Sequence, residues 1–273
     1  MIDKTHSLYS VHRNFQIQAF HSARDSYWKS DFVFAGEVHD FWELMYVAEG
    51  TVEVTQDDRI YRLTAGELIL HAPMKFHSIR STESSSPHVL ITTFSVQGYL
   101  PVKLGEGFFV LPQVEQTAYQ HLFQQILAFV QGTVETHYAG QECGDMLSAF
   151  LISLINNHAV QEALFETHET FTYRELAAIM QKELYTNITM EEIAARLPVS
   201  ISHMKALFHR YAGMAPKHYY SRLRLTEAIR LMQDGLSPSE TADRMNFSSP
   251  NYFSYFFKKM TGQPPSVYMK KYD

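Results

Sequence analysis

Two sets of side chains in this 273-residue chain are of types that do chemistry, and they lie far apart. The first is Glu37, His39, Phe41, Glu43 and Met45, alternate residues that share one face if the segment is a strand. His77 would come from a different strand and could converge with them. Histidine with carboxylate is metal-site material, and His39, Glu43 and His77 could make a facial triad. The same types also suit a small organic effector, whose pocket needs a few placed polar groups among apolar walls. His39, Trp42, Glu43, Tyr46, His71 and His77 are the residues available for such a pocket. A third use is structural, as histidines satisfied inside a core. The expectation taken forward is the organic effector, with no metal and no cofactor.

The second set lies near the C-terminus on two short helical segments. Ser202, Lys205, Ala206 and His209 fall on the outward face of one, and Pro250, Asn251, Ser254 and Tyr255 on that of the other. In a major groove, Lys205 can donate to guanine, Asn251 can pair with adenine, and Ser202 and Ser254 can serve either. Ala206 and Tyr255 can touch thymine methyls, although Ser202, Ser254 and Tyr255 also fit plain surface filling. Arg210, Lys217, Arg222, Arg224, Lys258 and Lys259 are placed for phosphate, which positions without specifying.

The elements that must carry these residues differ along the chain. From Phe32 to about Phe94, short β-type runs alternate with turns: Leu44 to Val47, Thr51 to Thr55, Ile60 to Leu63, Leu68 to Leu70 and Val89 to Phe94. Strands at this spacing predict a small antiparallel barrel or sandwich, with Ser81 to Pro87 as a polar surface loop. After Pro112 the period becomes helical. Tyr119, Leu122, Phe123, Ile126, Leu127 and Val130 make one stripe, and Met146, Leu147, Phe150, Leu151, Leu154 and Ile155 a second. These two helices serve either as core or as a dimer interface. His158 to His168 reads as a linker, Tyr173 to Leu184 as a helix, and residues 1–30 as an arm or an edge strand.

An internal repeat organises the C-terminal part. Thr189 and Glu192 form a capping box, Ile193, Ala194 and Leu197 an apolar stripe, and Ser200 caps a second helix that ends at Gly213. Glu240, Ala242, Arg244, Met245, Phe247 and Ser248 repeat Glu192, Ala194, Arg196, Leu197, Val199 and Ser200 at an offset of 48. Phe253, Phe256, Phe257, Lys259, Gly262, Pro265 and Tyr268 repeat Met204, Leu207, Phe208, Arg210, Gly213, Pro216 and Tyr219 at an offset of 49. The extra residue admits Ser249 as N-cap and Pro250 as first helical residue. Ala194 and Ala242 are small where two crossing helices come closest. Lys217 to Met232 reads as a long helix holding the two units at fixed separation.

Charge follows the same division. Residues 189–273 hold 12 Lys and Arg against 7 Asp and Glu, +5, while the remainder holds 11 against 22, −11, for −6 overall. A basic module on an acidic body points to a nucleic-acid reader joined to something else. The single cysteine, Cys143, excludes an intrachain disulfide and argues against a cysteine-ligated metal. The start, Met1 to His6, has no signal-peptide pattern, and no run approaches the ~20 apolar residues of a membrane span. A cytoplasmic protein is the expectation.

Residues from about 171 to 273 closely resemble the DNA-binding domain of AraC-type transcriptional regulators. The resemblance rests on Ile193-Ala194 through Ser200, Leu207-Phe208 and Gly213, then on Phe247-Ser248, Tyr252-Phe253-Ser254, Phe256 to Lys259, Gly262, Pro264-Pro265 and Tyr268. Asn246 stands where that family often has Gly, Pro198 lies in the first turn, where it could tilt the recognition helix that follows, and Lys270 stands where Arg is frequent. Gly36 to Glu43 followed by Gly50 resembles a first cupin motif, and Gly66, Pro73 and His77 a second, with Glu37 where a metal-binding cupin would usually have His. Together the resemblances imply an α+β two-domain protein. Residues 1–165 would be an antiparallel, cupin-like β-barrel with helices, for effector binding and dimerisation. Residues 166–273 would be an all-α DNA-binding domain with helix-turn-helix units at about 189–211 and 238–261. The implied function is a transcription factor, not an enzyme, controlled by a small molecule such as a sugar or related metabolite. Its DNA contacts would be Ser202, Lys205, Ala206, His209, Arg210, Asn251, Ser254, Tyr255, Lys258 and Lys259. Its partners would be double-stranded DNA, the effector, a second copy of the chain and RNA polymerase, with no membrane. A metal-dependent cupin enzyme, or a constitutive DNA-binding protein whose barrel only dimerises, is the alternative.

Overall fold

Strand-forming runs with two apolar faces have to be covered on both sides, and the first half of the chain is built around that need. The computed structural model describes residues 12–82, 85–134, 137–162 and 164–269. Met1 to His6, part of the Ser81–Pro87 loop, and Lys270 lie outside the described residues. One antiparallel sheet runs in the order β1 (Phe15–Tyr27), β8 (His88–Gly98), β3 (Trp42–Glu49), β6 (Glu67–His71), β9 (Phe108–Val110). The second runs β2 (Val33–Glu37), β7 (His77–Ser81), β4 (Thr51–Gln56), β5 (Arg59–Thr64). Between the sheets lie Met45, Val47, Val52, Val54, Tyr61, Leu63, Ile69, Ile79 and Ile91.

The opposite face of the first sheet, with Leu44, Tyr46, Leu70, Leu90 and Phe94, packs on α1 (Gln113–Val130) and α2 (Ala139–Asn157). β3 is therefore buried on both faces from Trp42 to Val47, which explains a continuous apolar run where alternation would mark a one-sided strand. β5, covered less completely, alternates only from Tyr61 to Thr64. The helical stripes are largely used in this packing: Tyr119, Leu122, Phe123, Ile126, Leu147, Leu151 and Leu154 belong to the same core. What they leave exposed is Phe129, Val130, Ile152 and Ile155. Of residues 1–30, the segment Phe15–Tyr27 is an edge strand. β9 was not legible, being three residues long with no alternation of its own.

The segment read as a linker is docked. Gln161 bridges to Phe108, and Phe165 donates its backbone N–H to the Ile60 carbonyl at 2.8 Å. Then come α3 (His168–Lys182), α4 (Met190–Ala195), α5 (Ile201–Ala212), α6 (Pro216–Gln233), α7 (Pro238–Arg244), α8 (Pro250–Thr261) and α9 (Pro265–Met269). The two units repeat down to their caps. Thr189 with Glu192, and Ser237 with Glu240, form capping boxes, Ser200 and Ser249 cap α5 and α8, and Gly213 and Gly262 end them in the left-handed region. The turns between α4 and α5, and between α7 and α8, differ. Asn246 takes φ of +55°, which Asn tolerates, but proline at the matching position 198 cannot. There the turn closes instead by a Val199 N–H bond to the Leu197 carbonyl at 2.7 Å, a two-residue span centred on Pro198. That is the inverse γ-turn, whose central φ suits proline.

The barrel and the first reader share a core. Ile60 and Phe76 of the barrel are buried in one cluster with Tyr173, Met180, Phe208, Tyr211 and Tyr219. Hydrogen bonds sew this seam: Ser78 Oγ donates to the Tyr211 carbonyl at 2.7 Å, and Tyr173 Oη to the Asp57 carbonyl at 2.9 Å. The second reader has a smaller, separate core of Ala228, Ile229, Met232, Ala242, Met245, Phe253 and Phe257, against which the barrel places only Met74 among the described residues.

Candidate functional site

On α5, Met204, Leu207, Phe208 and Tyr211 turn inward, which leaves Ser202, Lys205, Ala206, His209 and Arg210 exposed. On α8, Phe253 and Phe257 turn inward, leaving Asn251, Tyr255, Lys258 and Lys259 exposed and Ser254 half-buried. Arg210 is partly engaged, 3.5 Å from Glu169. A cleft of about 500 Å³ separates the two units, and Lys205, Lys217 and Tyr252 line it. Tyr252, more than half exposed, is not among the contacts expected from the sequence, where it stands only in the family signature.

Two cations expected on phosphate are committed elsewhere. Arg222 lies over the Phe76 ring of the barrel at 5.9 Å and is half-buried. Arg224 donates to the Met245 carbonyl, contacts Asn187 and stacks over Phe247 at 4.2 Å. It is a strut between the two units, assisted by Asn187 Nδ2 donating to the Asn246 carbonyl at 3.0 Å. Burial lowers the pKa of both guanidinium groups from the ordinary arginine value, without threatening their charge.

Lys205→Ala and Asn251→Ala are each expected to weaken operator binding by about 1–3 kcal/mol, with loss of discrimination at the base each reads. Fluorescence anisotropy on the operator and on single-base variants measures both effects. Unchanged affinity in both variants would remove these residues from the interface.

In the barrel, the structure divides the six residues proposed for a pocket. His39, Glu43, His71 and His77 gather at one polar end of the space between the sheets. Glu43 pairs across β3 and β6 with His71, whose ring stacks on His77 at 4.1 Å. Glu43 approaches His39 at 3.8 Å and His77 at 3.4 Å, and all three side chains are almost fully buried. Glu37 joins them, 3.9 Å from His77. Trp42 and Tyr46 are placed differently. As even-numbered residues of β3 they face the helices, where Tyr46 Oη donates to Gln116 and accepts from Gln120, both at 3.3 Å. Trp42 borders a separate pocket of about 280 Å³ with Pro73 and Tyr99.

The ring orientations are set by hydrogen bonds. His39 Nδ1 faces the Phe41 carbonyl at 2.9 Å, His77 Nδ1 the Lys75 carbonyl at 3.4 Å, and His71 Nδ1 the Gln56 side-chain oxygen at 2.6 Å. Each acceptor selects the Nδ1–H tautomer and leaves Nε2 as a lone pair. His39 Nε2 and His71 Nε2 are buried without a hydrogen-bond partner. Burial pushes His71 well below the ordinary histidine range, and the neighbouring His77 acts the same way, so His71 is neutral.

A barrel with a buried polar end shares its core with the first of two helix-turn-helix units, the architecture of a ligand-binding domain joined to a DNA-binding one. Comparison with known proteins agrees. Residues 23–133 match the AraC-like ligand binding domain, and residues 193–271 match a helix-turn-helix domain. The HTH-type transcriptional activator RhaR of Escherichia coli O6:K15:H31 is 26% identical over 248 residues, 86% of each chain. The uncharacterized HTH-type transcriptional regulator YidL of Escherichia coli K12 is 37% identical over 99 residues, 36% of this chain and 33% of that protein. Among solved structures, ToxT from Vibrio cholerae O395 is 14% identical, with 94% of this chain and 97% of that one covered at a TM-score of 0.37. The chain belongs to the AraC family of helix-turn-helix transcriptional regulators, with an N-terminal AraC-like ligand-binding domain. That family consists of DNA-binding regulators, not enzymes. No helix among the described residues is long and apolar enough to cross a membrane.

Proposed function

We propose that the protein is a cytoplasmic regulator whose grip on its operator is set by a small-molecule effector at the polar end of the barrel, bound by His39, Glu43, His71 and His77. In this reading residues 1–165 sense and residues 166–273 read. The observation that carries it is the seam. β7 presents His77 to the barrel interior and, one residue on, Ser78 to the Tyr211 carbonyl at the end of the first recognition helix. A ligand that moves β7 therefore moves a strand whose other face holds the reader. To shift the protein between arrangements, the effector must bind them with different affinity.

The test is a thermal-shift screen with sugars and related small metabolites, followed by operator affinity with and without each hit. A ligand at one hundred times its Kd should stabilise the protein by about 2.7 kcal/mol. A hit that leaves operator affinity unchanged would favour the constitutive alternative. The reading includes a homodimer through the outer faces of α1 and α2, where Phe129, Val130, Ile152 and Ile155 remain exposed, and contact with RNA polymerase at the promoter. Sedimentation equilibrium of the wild type against Ile152→Glu checks the first of these.

A further inference from the structure

We propose that Glu37, His39, Glu43 and His77 form a binding site for one divalent transition-metal ion at the end of the barrel that abuts the DNA-binding domain. The donor atoms of these four side chains all lie within 4.8 Å of one another. The spacing is informative. Donors about 2.0–2.2 Å from a tetrahedral ion sit roughly 3.3–3.6 Å apart. Here His77 Nε2 is 3.4 Å from Glu43 and 3.9 Å from Glu37, while His39 Nε2 is 3.8 Å from Glu43. The two longer separations exceed a good hydrogen bond, yet all of them contract onto a common ion with small movements.

Chemistry points the same way. Both imidazoles spend Nδ1 on backbone carbonyls, at Phe41 and Lys75, the arrangement that orients a metal-binding histidine and directs the Nε2 lone pair at the ion. His39 Nε2, on a side chain only 8% exposed, has no hydrogen-bond partner and faces the Glu43 carboxylate. Lone pairs from two rings and two carboxylates surround one small space, and a cation there satisfies them all. A divalent ion also cancels the two carboxylate charges, leaving a neutral centre, which removes most of the cost of keeping Glu43 in the interior. Mixed imidazole and carboxylate donors suit zinc, cobalt, manganese or iron in the divalent state rather than calcium or magnesium. Glu37 gives the site an outlet: it is partly exposed and ends β2, whose Ala35 carbonyl abuts Gly213 at the end of α5. An ion that draws Glu37 inward would therefore pull on the strand that meets the first recognition helix. This consequence for DNA binding rests on the sensing role proposed above, whereas the site itself does not.

The experiment uses the full chain, freed of metal by chelation and titrated calorimetrically with zinc and with cobalt, the cobalt complex also being followed by its visible spectrum. One ion per chain is expected, with cobalt bands of low coordination number. Glu37→Gln, at a partly exposed position, and His39→Gln should each weaken binding by at least about tenfold and shift the cobalt spectrum. Far-UV circular dichroism and thermal unfolding of the metal-free variants confirm that they fold. Absence of stoichiometric binding in the wild type, or binding that both substitutions leave unchanged, would overturn the site. Operator affinity with and without the ion separates the two readings. An ion that binds without altering DNA affinity upholds the site and counts against sensing through it. A metabolite that alters DNA affinity of a protein binding no ion upholds sensing and overturns the site.

Discussion

Gly213→Ala is expected to open the seam between the barrel and the first reader, while the same change at the equivalent Gly262 leaves it closed. Both glycines cap a recognition helix with positive φ, +63° and +80°, so a side chain at either incurs the left-handed penalty of about 1 kcal/mol. Their surroundings differ. A Cβ at Gly213 would fall on the backbone carbonyl of Ala35 in β2, whereas nothing lies within 4 Å of one at Gly262. Backbone cannot rotate away as a side chain can, so the clash at Gly213 is relieved by separating the reader from the barrel. Separation exposes Ile60 and Phe76, each worth roughly 1.5–3 kcal/mol of burial, and breaks the Ser78–Tyr211 and Tyr173–Asp57 hydrogen bonds. Hydrogen exchange should then show faster amide exchange in β7 and along α5 for Gly213→Ala, with Gly262→Ala matching the wild type there. Equal protection in both variants would mean that the seam adapts and cannot be the path from barrel to DNA.

How much of this was legible in the sequence depends on whether a residue's partner repeats, caps or merely approaches it. The readers were legible because their determinants are local and present twice: Thr189 and Glu192 recur as Ser237 and Glu240, and Gly213 recurs as Gly262. The convergence of His39, Glu43 and His77 was expected from alternation along one strand, but the structure reaches it differently. β2 ends at Glu37, His39 lies in the connection that crosses between the sheets, and β3 begins at Trp42, so Glu37 and Glu43 come from different sheets. Within β3, alternation does exclude Trp42 and Tyr46 from the face of Glu43, and their aromatic chemistry alone suggested otherwise. The seam was illegible. Ile60, Phe76 and Ser78 look like ordinary barrel residues, and nothing local shows that their outward face meets Tyr211 and Tyr219 more than a hundred residues on. Arg222 and Arg224 show the same limit. A basic residue on a DNA-binding domain suggests phosphate until the tertiary structure supplies Phe76 or the Met245 carbonyl instead.

The two cores also separate the fates of the two readers. Phe257→Ala should melt the second helix-turn-helix unit and spare the first. Phe257 is fully buried between Phe253, 5.8 Å away, and Tyr268, 5.4 Å away, in a cluster built from α6, α7, α8 and α9. Removing such a ring costs about 3–5 kcal/mol, a large part of the 5–15 kcal/mol that stabilises a whole domain. The equivalent Phe208 sits in the larger cluster that includes Tyr173, Tyr219 and the barrel's Phe76, so the first reader is supported from two sides. The second unit is tied to the first through α6, whose far end supplies Ala228, Ile229 and Met232 to its core, and through Arg224 and Asn187, which fix its position without adding to that core. Footprinting with Phe257→Ala should therefore retain protection on one major-groove face and lose it on the next, about 10 base pairs away. Calorimetry should resolve an early transition ahead of the main one. A single cooperative transition with simultaneous loss of both protected faces would show instead that α6 couples the two cores into one folding unit. A signal from the barrel, as proposed above, would then reach both readers through that helix.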